Sequence, residues 1–179
     1  MITCIIGLML FSTCNKSTND TSRVAVRLKD APADWERMNI DVQGVRLHTE
    51  KHGWVTMPVL PRTINILELR DTSTLLVAAE MPVDKIDQAQ LILGTTNTIT
   101  IHGVTYHITI NVEDERLLTV AVNDKVSPDG TLVIILDLDA EQSILMENGQ
   151  FWLQAHLTCS SHHHEGDDDD ENHDGDHDD

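Results

Sequence analysis

The chain has 179 residues, with 30 Asp and Glu against 12 Lys and Arg, and a formal net charge of −18. Ten of the acidic residues lie among the last fifteen, which contain no Lys or Arg, so the preceding part carries −8. A surface of this sign repels phosphate, and no basic stripe interrupts it, so the composition argues against nucleic-acid binding. The length leaves room for one domain with a substantial core.

The first fourteen residues, MITCIIGLMLFSTC, form an apolar run that ends in small residues and Cys14. This run is too short to span a bilayer and is typical of a secretory signal peptide. Its last residues resemble the lipobox of bacterial lipoproteins. We therefore expect a signal peptide over residues 1–13, acylation of Cys14, and a polar lipidated tether over residues 14–22. The alternative is an ordinary signal peptide with a truncated start. Lipidation predicts a membrane-anchored protein of the bacterial cell envelope, with the membrane and leaflet left open.

The stretch Arg23–His48 predicts two strands joined by a turn. Its first half alternates apolar and polar residues with a period of two, which places one face inward. Asp30 to Asp34, with Pro32 between them, are turn formers. In the second half, inward residues are two positions apart except between Val42 and Val45, which are three apart and enclose Gly44. This extra residue predicts a β-bulge.

Short strands and turns continue to the end of the domain. Trp54–Met57 is expected to pair with the preceding strand, Thr63–Leu69 and Lys85–Leu93 are expected to be strands, and Leu75–Glu80 is expected to form the one short helix. The remaining predicted elements are a hairpin around His102-Gly103, a strand over residues 116–122, a loop over 123–130, a central strand over Thr131–Asp139, and a hairpin around Asn148-Gly149 with its second strand over residues 151–157.

Nine to eleven short strands separated by regular turns favour an all-β fold. We predict an antiparallel β-sandwich of Greek-key, immunoglobulin-like or transthyretin-like type over residues 23–157, with one short helix. A disordered His/Asp-rich tail is predicted over residues 158–179.

Several segments resemble, in the same order, a bacterial family known as the domain of unknown function 4382 family. They are VRLKDAPADWERMNIDVQGVRLH, the following GW, PVDKIDQAQLIL, GVTYHITI and LVIILDLDAEQSI, and they span nearly the whole domain. Asp30-Ala31-Pro32 and residues 136–140 (LDLDA) are the most specific pieces. The resemblance implies a secreted or lipid-anchored β-domain that serves as an accessory or binding module, and it implies no catalytic residues.

The tail carries the densest set of metal-ligand side chains. Imidazoles and carboxylates bind Zn²⁺, Ni²⁺ and Cu²⁺, and a thiolate adds a soft ligand. Because a disordered segment loses entropy in any single geometry, many weak sites are favoured over one tight site. The alternative is an acidic extension that only keeps the protein soluble. The candidate metal ligands are Cys159, His162, His163, His164, Asp167, Asp168, Asp169, Asp170, His173 and His177.

The domain itself offers little catalytic chemistry. The pairs Asp30/Asp34 and Asp137/Asp139 are interpreted as turn or strand-end residues, and His102 and His107 as solvent-facing residues. No phosphate-binding Gly-rich loop or nucleophile elbow is present. We therefore expect no enzyme, no catalytic residue and no required cofactor.

Two functions remain open at this point. The first is an envelope lipoprotein whose tail captures divalent transition metals. The second is an accessory module that binds surface carbohydrate or a partner protein. Trp35, Trp54 and Trp152 are interpreted as core or rim residues, because aromatic residues are only 3% of the chain, and a row of exposed tryptophans as a sugar-binding platform is the alternative.

Overall fold

The computed structural model describes residues 21–31, 33–110, 116–128 and 130–164. The predicted signal peptide, Cys14, most of the tether, and Asp167, Asp168, Asp169, Asp170, His173 and His177 lie outside the described residues. Within those ranges, no helix combines the length and the apolarity that crossing a membrane requires.

The described residues form thirteen strands, one short α-helix and one 3₁₀ turn. The helix α1 is Ala140–Ser143, and the 3₁₀ turn is Ile66–Leu69. The strands are β1 (Thr21–Ala31), β2 (Arg37–Thr49), β3 (Gly53–Met57), β4 (Arg62–Asn65), β5 (Thr74–Pro82), β6 (Lys85–Leu93), β7 (Thr98–Ile101), β8 (Val104–Thr109), β9 (Leu117–Lys125), β10 (Thr131–Asp139), β11 (Ile144–Glu147), β12 (Gln150–Leu153) and β13 (His156–His164).

Two sheets enclose one apolar core, which confirms the all-β sandwich. The smaller sheet has the order β13-β10-β1-β5, and the larger has nine strands along the path β11-β12-β8-β7-β2-β6-β9, with β3 and β4 also paired to β2. Fully buried side chains of β1, β10 and β2 face one another between the sheets, among them Leu28, Leu136 and Leu47. Most strand pairs are antiparallel as predicted, but β1 with β10 and β8 with β12 are parallel.

The strand β2 is the scaffold of the larger sheet. It pairs with β6 and β7 as well as with β3 and β4. Its register against β6 shifts between Val42 and Gly44, which confirms the predicted bulge. A Cβ at Gly44 would lie 3.4 Å from Ile92 Cδ1, so the Ile92 side chain covers the glycine at the bulge.

The predicted helix at Leu75–Glu80 is wrong, because this stretch is strand β5. Its register against β1 shifts between Val26 and Arg27, so Leu76 is an extra residue in the pairing. That bulge breaks the alternation that would have identified a strand. The α-helix is α1 instead, where the Asp139 carboxylate accepts a hydrogen bond from Gln142 N at 2.9 Å.

The predicted domain, residues 23–157, is too short at both ends. Strand β1 begins at Thr21, so residues 21 and 22 belong to the sheet rather than to the tether. Residues 158–164 are not a disordered tail, because they form most of β13, paired along its whole length with β10. The predicted strand over residues 151–157 is in fact divided between β12 and β13, which lie in different sheets.

Candidate metal-binding edge of the sandwich

The edge strand β13 carries four of the predicted metal ligands. It pairs antiparallel with β10, with Leu157 opposite Leu138 and His163 opposite Leu132. Since side chains alternate across a sheet, Leu157, Cys159, Ser161 and His163 share the face that carries the core residues of β10. His162 and His164 fall on the opposite face and are exposed. The strand therefore directs His163 to one face and its two neighbours to the other, although all three histidines are exposed.

The inward face of β13 lies against β9, the edge strand of the larger sheet. Leu118, Val120 and Val122 of β9 are its more buried residues, and the same alternation places Asp124 on their face. The predicted strand ended at Val122 and left Asp124 in a loop. The structure corrects this, since β9 continues to Lys125.

The carboxylate of Asp124, on β9, contacts side chains of β13 and so links the edges of the two sheets. Ser161 Oγ donates to Asp124 Oδ2 at 2.7 Å, and His163 Nε2 lies 3.2 Å from Oδ1. The backbone N–H of Lys125 also donates to Oδ1, at 2.7 Å. Burial by itself would raise the pKa of Asp124, but these hydrogen bonds outweigh it and hold the pKa below its ordinary value. Asp124 is therefore a carboxylate at neutral pH, and it fixes the imidazole of His163 by one nitrogen.

Cys159 lies two positions before Ser161 on the same face and is partly buried. Burial raises the pKa of its thiol, and the negative charge of Asp124 raises it further. The sulfur is therefore a neutral thiol at neutral pH. A metal ion that binds it must displace a proton, so any contribution of Cys159 to metal affinity increases with pH.

The structure thus brings His163 and Cys159 towards one carboxylate that the sequence prediction missed. Among the described residues, no group of three or more His, Cys, Asp and Glu side chains is placed to hold a metal ion. Asp124 and His163 form a pair rather than a complete ligand set.

Two other histidine–carboxylate pairs occur in the described part of the chain. His48 Nδ1 lies 2.7 Å from Asp87 Oδ1, and His52 Nδ1 lies 3.3 Å from Asp84 Oδ2. The first pair joins β2 to β6, and the second joins the turn after β2 to the turn between β5 and β6. They provide matched comparisons for the Asp124–His163 pair.

The structure gives the four carboxylates suggested by the sequence different surroundings. Asp30 is completely buried at the end of β1 and accepts a hydrogen bond from Ala140 N at 3.0 Å, and no described group pairs with its second oxygen. Asp34 is exposed in the turn after β1. Asp137 lies 3.9 Å from Lys29 Nζ, and Asp139 caps α1. The roles of Asp30 and Asp139 seen here are structural.

Asp30 is the most perturbed acid of this group. Burial raises its pKa from 3.8 to about 7, and the charges of Asp137 and Asp139 add to the increase. The Ala140 N–H and the charge of Arg70 act in the opposite direction and offset only part of it.

His102 and His107 do not form a facing pair across the hairpin. His102 occupies the turn itself, with a positive φ of 51°, and His107 pairs with Thr98.

A family model described as a domain of unknown function (DUF4382) matches residues 21–155. The chain belongs to the DUF4382 family. The match begins where β1 begins and ends just before β13, so the edge strand that carries His163 lies beyond it. No curated protein and no solved structure was found to match the chain. The resemblance of the five sequence segments to this family is confirmed, and membership supplies no functional residues to transfer.

Proposed function

We propose that this DUF4382 protein is a non-enzymatic lipoprotein of the bacterial cell envelope that captures divalent transition-metal ions with its C-terminal His/Asp-rich segment. Cys14 carries the lipid that holds the β-sandwich at a membrane. The segment begins at Cys159 inside the sandwich and continues to Asp179. Zn²⁺, Ni²⁺ and Cu²⁺ are the ions that suit this mixture of imidazole and carboxylate.

The observation that supports this proposal best is the contact between His163 and Asp124. Metal-binding histidines commonly donate one ring N–H to a carboxylate, which fixes the ring and increases the basicity of the other nitrogen. With Nε2 of His163 directed to Asp124, its Nδ1 remains for a metal ion. The folded domain thereby supplies one preorganised ligand at the start of a segment that is rich in further ligands.

The ten acidic residues after His164 give a second reason for the proposal. Their charge attracts divalent cations, and His173 and His177 are interleaved with them. Many alternative ligand sets share similar affinity, so the segment acts as a collector of ions rather than as one rigid site.

Replacement of Asp124 by Asn is expected to weaken the Zn²⁺-binding step that uses His163 about tenfold in the full chain, because the neutral amide orients and polarises His163 less well. Isothermal titration calorimetry with Zn²⁺ measures this change. Asp87→Asn is the matched control, since it alters the carboxylate of the His48 pair in the same way but away from β13. Absence of Zn²⁺ uptake by the full chain, or equal losses in the two variants, would contradict the proposal.

The anchor is tested separately by Cys14→Ser. We expect this change to move the protein from the membrane fraction to the soluble fraction, because no acyl chain is attached. Immunoblots of fractionated cells report the distribution. Retention of the Cys14→Ser protein in the membrane fraction would show that the anchor is assigned to the wrong residue.

A further inference from the structure

A groove of about 470 Å³ lies between the turn that precedes β2 and the 3₁₀ turn with the loop that follows it. Its apolar lining consists of Trp35 and Leu67, which are partly buried and pack against the core. This volume falls within the range of small-molecule sites. The groove is far along the chain from the metal-binding edge and uses none of its residues.

Two hydrogen bonds tie the walls of the groove together. Arg70 Nη2 donates to the carbonyl oxygen of Ala33 at 2.7 Å, which joins the loop after the 3₁₀ turn to the turn that carries Trp35. The Asn65 side chain accepts from Met38 N at 3.2 Å, which joins the start of the 3₁₀ turn to β2. A groove with both walls fixed loses little entropy when a ligand enters.

Some of the polar side chains that line the groove are hydrogen-bonded within the protein, and others are not. Glu36 accepts from Gly103 N at 3.0 Å, and Glu68 accepts from Asn65 Nδ2 at 2.8 Å. The side chains of Arg37 and Asp71 also line the groove, and neither has a hydrogen-bond or ion-pair partner among the described residues. The groove therefore presents a guanidinium and a carboxylate, both exposed and without a partner among the described residues, beside an indole.

This combination selects a class of ligand. Hydroxyl groups both accept and donate hydrogen bonds, so a polyhydroxylated molecule satisfies Arg37 and Asp71 together. The flat indole of Trp35 offers an apolar surface with a polar edge, which suits the C–H face of a pyranose ring. A phosphate group matches the groove less well, because Asp71 and Glu68 would repel it. A purely apolar ligand would make no hydrogen bond to either charged group.

We propose that this groove binds a saccharide, with one sugar ring packed on Trp35 and its hydroxyls bonded to Arg37 and Asp71. The protein then attaches to carbohydrate at the cell surface through one site and collects metal ions through another.

The test uses the full chain on an array of oligosaccharides built from hexoses, N-acetylhexosamines and hexuronic acids. Titration of the bound sugars, followed by tryptophan fluorescence, measures affinity. Trp35→Ala is expected to weaken binding at least about tenfold, as expected for a central aromatic contact. Arg37→Gln and Asp71→Asn are each expected to weaken it about fivefold, because each removes one charged hydrogen bond.

Trp54→Ala is the matched control, since Trp54 is another partly buried tryptophan that contacts Arg46 and His48 rather than the groove. We expect it to leave the affinity unchanged. Should Trp35→Ala prevent folding, Arg37→Gln and Asp71→Asn decide the question, because both side chains are exposed. The proposal is overturned if no array sugar binds the full chain, if these two variants bind as well as the parent chain, or if Trp54→Ala weakens binding as much as Trp35→Ala.

Discussion

A chain that ends at Leu157 is expected to lose its cooperative fold, whereas a chain that ends at His164 is expected to keep it. The two truncations differ by seven residues, all of which belong to β13. These residues pair with β10 from Asp137 back to Thr131, so their removal leaves most of one edge of β10 without a partner.

The expected loss of stability is large because β10 is an interior strand of the smaller sheet, with one face in the core. Each backbone hydrogen bond contributes about 1 kcal/mol net, so loss of most of the ladder costs roughly 5 kcal/mol, comparable to the whole stability of many domains. The core contact of Cys159 is lost as well. The newly exposed edge of β10, which includes Ile134 and Leu136, is also expected to promote aggregation by pairing with strands of other chains.

Thermal unfolding followed by circular dichroism, together with size-exclusion chromatography, compares the two truncated chains. We expect the chain ending at Leu157 to melt roughly 15 °C or more below the chain ending at His164, or to aggregate. Melting temperatures that agree within a few degrees would show that residues 158–164 are not part of the folded domain.

Replacement of Asp30 by Asn is expected to stabilise the protein at pH 8 by about 2–3 kcal/mol and to change its stability little at pH 4. The amide of Asn fills the same space and still accepts from Ala140 N. It removes a charge that is completely buried and has no partner for one oxygen.

The direction of this effect follows from the pKa of Asp30. Burial raises the pKa in the folded protein from 3.8 to about 7, so the folded state holds its proton more tightly than the unfolded chain does. Between these two values the unfolded chain is already ionised while the folded protein remains protonated. The stability contributed by this group is therefore fully present below pH 3.8 and is lost as the pH rises to about 7.

Denaturant unfolding at a series of pH values measures the profile. Asp30→Asn should flatten the decline between pH 4 and 7, whereas the control Asp34→Asn, at an exposed position in the adjacent turn, should leave it in place. Parallel profiles for the parent chain and Asp30→Asn would show that the buried carboxyl does not titrate in this range.

Strands in which apolar and polar residues alternate regularly, or are interrupted at a glycine, were predictable from the sequence. The bounds of β10 were predicted correctly because its inward residues alternate without interruption, and the bulge in β2 was visible as a lengthened step beside Gly44. Strand β5 was missed because the bulge at Leu76 places apolar residues side by side. Local pattern also contains no information about which strands become neighbours, so the parallel pair of β1 and β10 was not predictable.

The candidate metal edge was only half predictable. Cys159 and His163 were predicted as ligands, but residues 158–164 are so polar that they resemble a disordered tail. They fold because β10 offers a complete ladder of backbone donors and acceptors. The contact between His163 and Asp124 joins residues 39 positions apart, on the edges of two different sheets, and no sequence spacing signals it. The inward alternation at Leu118, Val120 and Val122 was the one available indication that Asp124 faces the same way.

The measurement that tests metal capture most directly is a calorimetric titration of Zn²⁺ into the full chain and into the chain that ends at His164. The shorter chain keeps β13, Asp124 and His163 but lacks the ten acids and two histidines that follow. We predict that the full chain takes up Zn²⁺ and that the shorter chain loses most of this uptake while it unfolds at the same temperature. Equal uptake by the two chains, or no uptake by either, would contradict the function proposed for this protein.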